Sequence, residues 1–320
     1  MEVLLDRRLG GIDRYYLGNI NEALMLVPDE VRKCVVFLIY KNKFTKSDTL
    51  VGTAFFVSVK EEEFGLNFVY LVTAKHVIEA IEEKSLDKKV YIRINQKDKP
   101  SITLWSDLNK WKFHPSISEP TNKAMYIDVA VLEWHPNVEI YDCLFIPSTM
   151  AATADVISKE GIGCGDEVFI TGLFSEHFGL QCNLPIIRIG NIACMPGEPV
   201  HTKKYGLIES YLVEARSIGG LSGSPVFLHL SGIRKGAWTL GREPIYWLGL
   251  MHGHFDLIDM EIGDTITEDN LYSLAINMGI AIVVPVSKIL ETLNQDEFVA
   301  ARKQTSEAYK LKRAATPDVT

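Results

Sequence analysis

Short apolar runs follow one another along most of the chain. Residues 35–40, 50–59, 68–73, 89–94 and 126–132 form a first group. Residues 167–173, 186–194, 208–215, 225–230, 245–251 and 280–286 form a second. The runs are rich in Val, Ile, Phe and Tyr and are bounded by Gly, Asp, Asn or Pro, which is the composition of strands closed by turns. Helical periodicity is sparse. Residues 75–83 put Val77, Ile78 and Ile81 on one face, and residues 287–293 group Ile289, Leu290 and Leu293. A third short helix is predicted over 21–26, ended by Pro28. Strands with few helices between them argue for an all-β fold rather than a parallel βαβ sheet. Residues 147–165 carry Ala, Ser, Thr and Gly without a long apolar run and read as the connection between two β units. The expected organisation is therefore an extension (1–33), a first unit (34–146), the connection (147–165), a second unit (166–294), and a charged C-terminal helix and tail (295–320).

At 320 residues the chain is long enough for one large domain or two. A hydrophobic fraction of 47% with 23% charged residues is that of an ordinary soluble globular protein. The net charge of −8, without a basic stripe, argues against a nucleic-acid partner. No window reaches the apolar length of a membrane span, and residues 1–8 lack the long apolar stretch of a secretory signal. The five cysteines are odd in number and form no CxxC pair, so neither a zinc site nor a disulfide framework is expected. They read as buried thiols in a reducing compartment, and the expected location is the cytoplasm.

Three short segments carry chemistry. Ser222 lies in Gly219-Gly220-Leu221-Ser222-Gly223-Ser224-Pro225. A nucleophilic serine needs a tight turn and backbone N–H groups aimed at a developing oxyanion, and Gly220 supplies the backbone freedom for both. His76, in Thr73-Ala74-Lys75-His76, follows an apolar strand at the point where it turns into a helix, a rigid place for a general base. Asp128 heads the apolar run Val129-Ala130-Val131-Leu132. A carboxylate at the mouth of a buried strand is costly unless it is hydrogen-bonded, and a histidine Nδ1–H would satisfy it. Asp142, Asp155 and Asp166 are weaker candidates, and Ser224 is the rival serine. The order His, Asp, Ser excludes an α/β-hydrolase arrangement, which runs Ser, acid, His.

In type, order and setting these segments resemble the chymotrypsin-like (trypsin-fold) serine peptidases of bacterial type, over roughly residues 35–293. That resemblance implies two six-stranded antiparallel β-barrels with short helices and a C-terminal helix. It implies a serine endopeptidase acting through His76, Asp128 and Ser222 and an acyl-enzyme intermediate. It places the oxyanion hole at the N–H groups of Gly220 and Ser222, and it implies no cofactor and no metal. The expected partner is a peptide or protein substrate. An uncontrolled endopeptidase would damage a cytoplasm, so narrow specificity or a regulatory protein partner is also expected. The alternative is a catalytically silent or partner-activated module on the same fold. His252-Gly253-His254 replaces the family's usual groove wall, and Arg216 falls near the expected pocket floor. With Gly253, these residues are the expected substrate-binding set; His and Arg there favour an acidic residue before the scissile bond, while the acidic insertion that follows would attract a basic substrate instead. One of the two histidines is expected either to line that pocket or to brace Asp128. Residues 255–274 form an acidic insertion without Lys or Arg.

Overall fold

The structure, a computed structural model, describes residues 27–61, 63, 65–115, 125–215, 220–230, 233–234, 237–238, 245–256 and 277–315. The predicted helix over 21–26, Arg216 and most of the acidic insertion lie outside them.

The first sheet is built on β1 (Val35–Lys41), whose first six residues are all buried. Around it lie β2 (Asp48–Lys60), β3 (Asn67–Thr73), β4 (Lys89–Ile94), β5 (Ile102–Asp107), β6 (Lys112–Phe113) and β7 (Ala130–Glu133), in the order β5-β4-β1-β2-β3-β7-β6. A short β8 (Ile146–Pro147) runs parallel beside β2. Helix α1 (Lys75–Lys84) leaves β3 after Ala74 and buries Val77, Ile78 and Ile81, the face its sequence pattern marks out. The connection carries a helix that composition did not reveal, α2 (Ala154–Glu160), opened by the Thr153 hydroxyl accepting from the Val156 N–H and closed by Gly161 at φ 67°.

The second unit begins with β9 (Glu167–Gly172) and β10 (Ile186–Cys194), followed by the hairpin β11 (Val200–Thr202) and β12 (Gly206–Ile208). Next come β13 (Tyr211–Glu214), β14 (Pro225–His229), the small pair β15 (Ile233–Arg234) and β16 (Ala237–Trp238), β17 (Ile245–Asp256) and β18 (Asn277–Pro285). Six of these close a barrel, β10-β13-β18-β17-β14-β9. Helices α3 (Val286–Leu293) and α4 (Asp296–Ala315) follow.

The all-β architecture is as expected, with one difference in closure. The second unit is a closed six-stranded barrel, whereas the first is a curled eight-stranded sheet whose end strands β5 and β6 are not paired with each other among the described residues. β6 has only two residues, too few to carry a closing ladder. The cysteines also differ from expectation. Cys34 and Cys143 are buried, but Cys164 and Cys194 are exposed, and all five are free.

Contacts away from the site help lock the units together. Trp247 of β17 is fully buried and meets Phe55 of β2 edge-on at 5.6 Å between ring centres. Its indole N–H donates to the Gly249 carbonyl at 2.9 Å, and its own carbonyl accepts from the Ala152 N–H at 2.9 Å. At the far edge, Asn183 donates through Nδ2 to the Arg93 carbonyl at 2.7 Å, and its N–H donates to Asn95 Oδ1 at 2.6 Å. Helix α4 is anchored by Arg302, which donates to Tyr70 Oη at 3.0 Å and to the Leu293 carbonyl at 2.8 Å. Truncating the inter-unit aromatic should be costly. Trp247→Ala is expected to lower the unfolding free energy by about 3–5 kcal/mol in denaturant titration, the range for an emptied aromatic core site. A change below about 1 kcal/mol would mean that Trp247 does not hold the units together.

Candidate active site

The seam between the two units brings together the ends of three segments. Asp128 is fully buried. Its Oδ1 accepts the His76 main-chain N–H at 2.8 Å, and its Oδ2 accepts from His76 Nδ1 at 2.7 Å. The two-point contact fixes the ring at the start of α1 and leaves Nε2 available. A second imidazole reaches the same oxygen: His252 Nδ1 lies 2.5 Å from Asp128 Oδ2. Burial alone would push the Asp128 carboxyl up, but the charges and hydrogen bonds of His76 and His252 outweigh it and hold the carboxyl well below the usual carboxylate range. His76, Asp128 and His252 are also the one set of metal-type donors gathered within 4.8 Å among the described residues. With both Nδ1 atoms protonated, both carboxylate oxygens accept N–H donors and the three side chains form a hydrogen-bonded network.

The loop bearing Ser222 is held by its main chain. The Thr53 N–H donates to the Ser222 carbonyl at 2.9 Å, the Gly223 N–H to the Met251 carbonyl at 2.8 Å, and the Ser224 N–H to the Leu221 carbonyl at 2.9 Å. The Thr53 hydroxyl donates to the Gly220 carbonyl at 3.0 Å. Gly220 sits at φ 100° and Gly223 at φ 82°, conformations that favour glycine. Gly223 is doubly constrained, because a Cβ there would lie 2.3 Å from the Thr53 carbonyl oxygen. Among the described residues, nothing accepts the N–H of Gly220 or of Ser222. The Ser222 hydroxyl donates to the His252 carbonyl at 3.0 Å rather than to His76. Ser224 is fully buried, with its hydroxyl packed so closely on Gly172 that a Cβ there would lie 1.9 Å away.

Of the expected substrate-binding residues, His252 turns its ring onto Asp128. Gly253 has open space where a side chain would stand, and His254 is half-buried. Sequence reasoning missed two aromatic residues at this site. Tyr126 and Tyr205 stack at 4.8 Å, and Tyr205 lies 5.6 Å from the His76 ring and 5.1 Å from that of His252. Tyr205 arrives on the β11–β12 hairpin, which docks on the first sheet where the Tyr126 N–H donates to the Leu207 carbonyl at 2.8 Å. Tyr126 stands two residues before Asp128, a position that sequence proximity alone would have flagged. Burial, the Asp128 charge and a hydrogen bond to Glu79 push its phenol up.

A depressed carboxyl pKa is also a stability statement. In acid the unfolded chain binds a proton at this group that the folded chain does not, so Asp128 stabilises the fold above its unfolded value near pH 4. That contribution is lost as pH falls toward the folded value. The stability difference between wild type and Asp128→Asn, read by denaturant unfolding, is expected to be largest above about pH 5 and to shrink steadily below about pH 4. A difference that does not vary with pH would mean that the carboxyl has the same pKa folded and unfolded, and one that grows as pH falls would mean that Asp128 is protonated in the folded protein.

Through His252, the His76–Asp128 pair of the first unit meets Ser222 of the second at the seam. No family model matches the chain, and no curated protein matches it in sequence. Among solved structures it is similar to the MamO protease domain from Magnetospirillum magneticum, at 12% identity and a TM-score of 0.45, covering 83% of this chain and 99% of that one. It is also similar to Deg5, at 14% identity and a TM-score of 0.40, covering 82% of this chain and 87% of that one. At such identities the likeness is one of fold.

Proposed function

We propose that the protein is a serine endopeptidase that cleaves peptide bonds of a peptide or protein substrate lying along the seam. The observation that carries this reading is the two-point grip of Asp128 on His76, with the Ser222 loop clasped to the neighbouring strand. An ionised, buried Asp128 requires the proton on His76 Nδ1, so Nε2 is the basic nitrogen. Rotation of the Ser222 side chain away from the His252 carbonyl brings its hydroxyl toward that nitrogen. Ser222 Oγ then attacks the scissile carbonyl while His76 Nε2 takes its proton. The imidazolium gives that proton to the leaving amine, and the acyl group stays on Ser222. Water, deprotonated by His76, hydrolyses the ester and restores the hydroxyl. The N–H groups of Gly220 and Ser222 are the donors for the oxyanion. Asp128 stabilises the imidazolium without itself taking the proton. The buried hydroxyl of Ser224 makes it the poorer nucleophile.

One observation favours the partner-activated alternative. The Ser222 hydroxyl donates to the His252 carbonyl, and a substrate or regulatory partner that took over this carbonyl would release it. The cytoplasm is the expected setting, and narrow specificity suits it.

A fluorophosphonate probe tests both readings. Labelling is expected on Ser222, abolished in Ser222→Ala and retained in Ser224→Ala. Turnover should fall by roughly 10⁶ in Ser222→Ala or His76→Ala and by about 10⁴ in Asp128→Asn, the magnitudes known for such triads. Labelling that appears only with a partner supports activation. Labelling that survives Ser222→Ala would remove Ser222 as nucleophile.

A further inference from the structure

One carboxylate oxygen with two imidazole donors is more than a histidine base requires. The second ring is placed deliberately by the backbone. β17 and β18 pair Met251 with Val283 and Gly253 with Ile282, so the register shifts at His252 and leaves it outside the ladder. Such a bulge re-aims the side chain at that point. Here it sends a nearly buried ring inward to Asp128 Oδ2, while the main-chain carbonyl of the same residue holds the Ser222 hydroxyl. The two imidazole rings lie 5.0 Å apart at 74° to each other, which lets both Nδ1 atoms reach one oxygen.

We propose that His252 is a positioning residue for the His76–Asp128 pair and that its protonation switches the site off. As a neutral donor, His252 fixes the carboxylate that orients His76. As an imidazolium, it neutralises Asp128 and puts a like charge beside the His76 ring. The transition state requires His76 to become a cation, so this withdraws the stabilisation that the cation depends on. The site is then active only when both rings are neutral. Among the described residues, the other groups facing His252 are the phenols of Tyr205 and Tyr126, with ring centres 5.1 and 6.5 Å away. Behind them, Glu79 accepts from the Tyr126 hydroxyl, Lys75 lies over the Tyr126 ring, and Lys204 lies over the Tyr205 ring. Neighbouring β18 contributes the apolar Ile282 and Val283.

The switch rests on the peptidase reading, but the coupling of the two rings does not. Two groups sharing one counter-ion titrate as a pair, in two macroscopic steps. In the full-length chain with ring-labelled histidine, His76 is therefore expected to titrate by NMR over a broadened, two-step curve. In His252→Asn, whose amide keeps a donor near the Nδ1 position but cannot take a proton in this range, the second step should be absent. Kinetically, the acid limb of log kcat/KM against pH should steepen toward a slope of two in wild type and stay at one in His252→Asn. His252→Phe should lower kcat about tenfold or more with little change in KM, and the Asn variant should recover most of that loss. A single-step His76 curve in both proteins overturns the coupling. Turnover with a slope of one in both proteins overturns the switch. Coupled rings without turnover at any pH would count against the peptidase reading and leave the coupling standing.

Discussion

Asp128 sets the terms for the rest of the molecule. An ionised carboxylate with no access to water is tolerable only when its oxygens are fully engaged by donors. Here the donors come from opposite sides of the seam: the His76 main chain and ring from the start of α1, and the His252 ring from β17 of the barrel. Neither unit alone satisfies the charge. Folding the first sheet without the barrel would leave Oδ2 with one donor fewer, and the barrel without the sheet would leave a buried imidazole without its acceptor. The group that orients the candidate base is therefore also one of the groups that hold the two units in register.

The nucleophile loop obeys a similar logic through uncharged contacts. Thr53, in the middle of β2, works on three sides. Its N–H holds the Ser222 carbonyl, its hydroxyl holds the Gly220 carbonyl, and its own carbonyl accepts the Thr73 hydroxyl at 2.7 Å. The Thr53 hydroxyl also accepts the Leu173 N–H at 2.8 Å. A loop from the second unit is thus shaped by a strand of the first, and the close approach of Gly223 to that strand leaves no room for a side chain. Placing the candidate groups beside strands, braced by buried hydrogen bonds, gives the precision that a free loop lacks.

What was legible in the sequence follows from this division. Strand alternation, the apolar face of α1 and the settings of His76, Asp128 and Ser222 are local features, and local reading finds them. The run 126–132 shows where local reading stops. Its composition is strand-like throughout, yet β7 begins only at Ala130, because the preceding residues turn to deliver Asp128 to His76 and to pair Tyr126 with Leu207. β11 and β12 have three residues each, below the length at which periodicity speaks, so the hairpin carrying Tyr205 gave no signal. The direction of the His252 ring depends on a one-residue register shift against β18, a tertiary event that leaves no mark on β17 itself. Arg216, the other candidate for the pocket, lies outside the described residues.

The aromatic surround gives the two histidines different chemistry although they share one acceptor. Tyr205 packs against both imidazole rings and stacks on Tyr126, so aromatic groups take the place of water on that side of the pair. The enclosure is unequal. The His76 side chain keeps 16% of its surface exposed and that of His252 only 6%. A base must meet the atoms it deprotonates, and only His76 has an open edge to do so. His252, more deeply set and anchored at both ring and carbonyl, has no such edge, and its influence on the proposed reaction passes through its neighbours Asp128, His76 and Ser222.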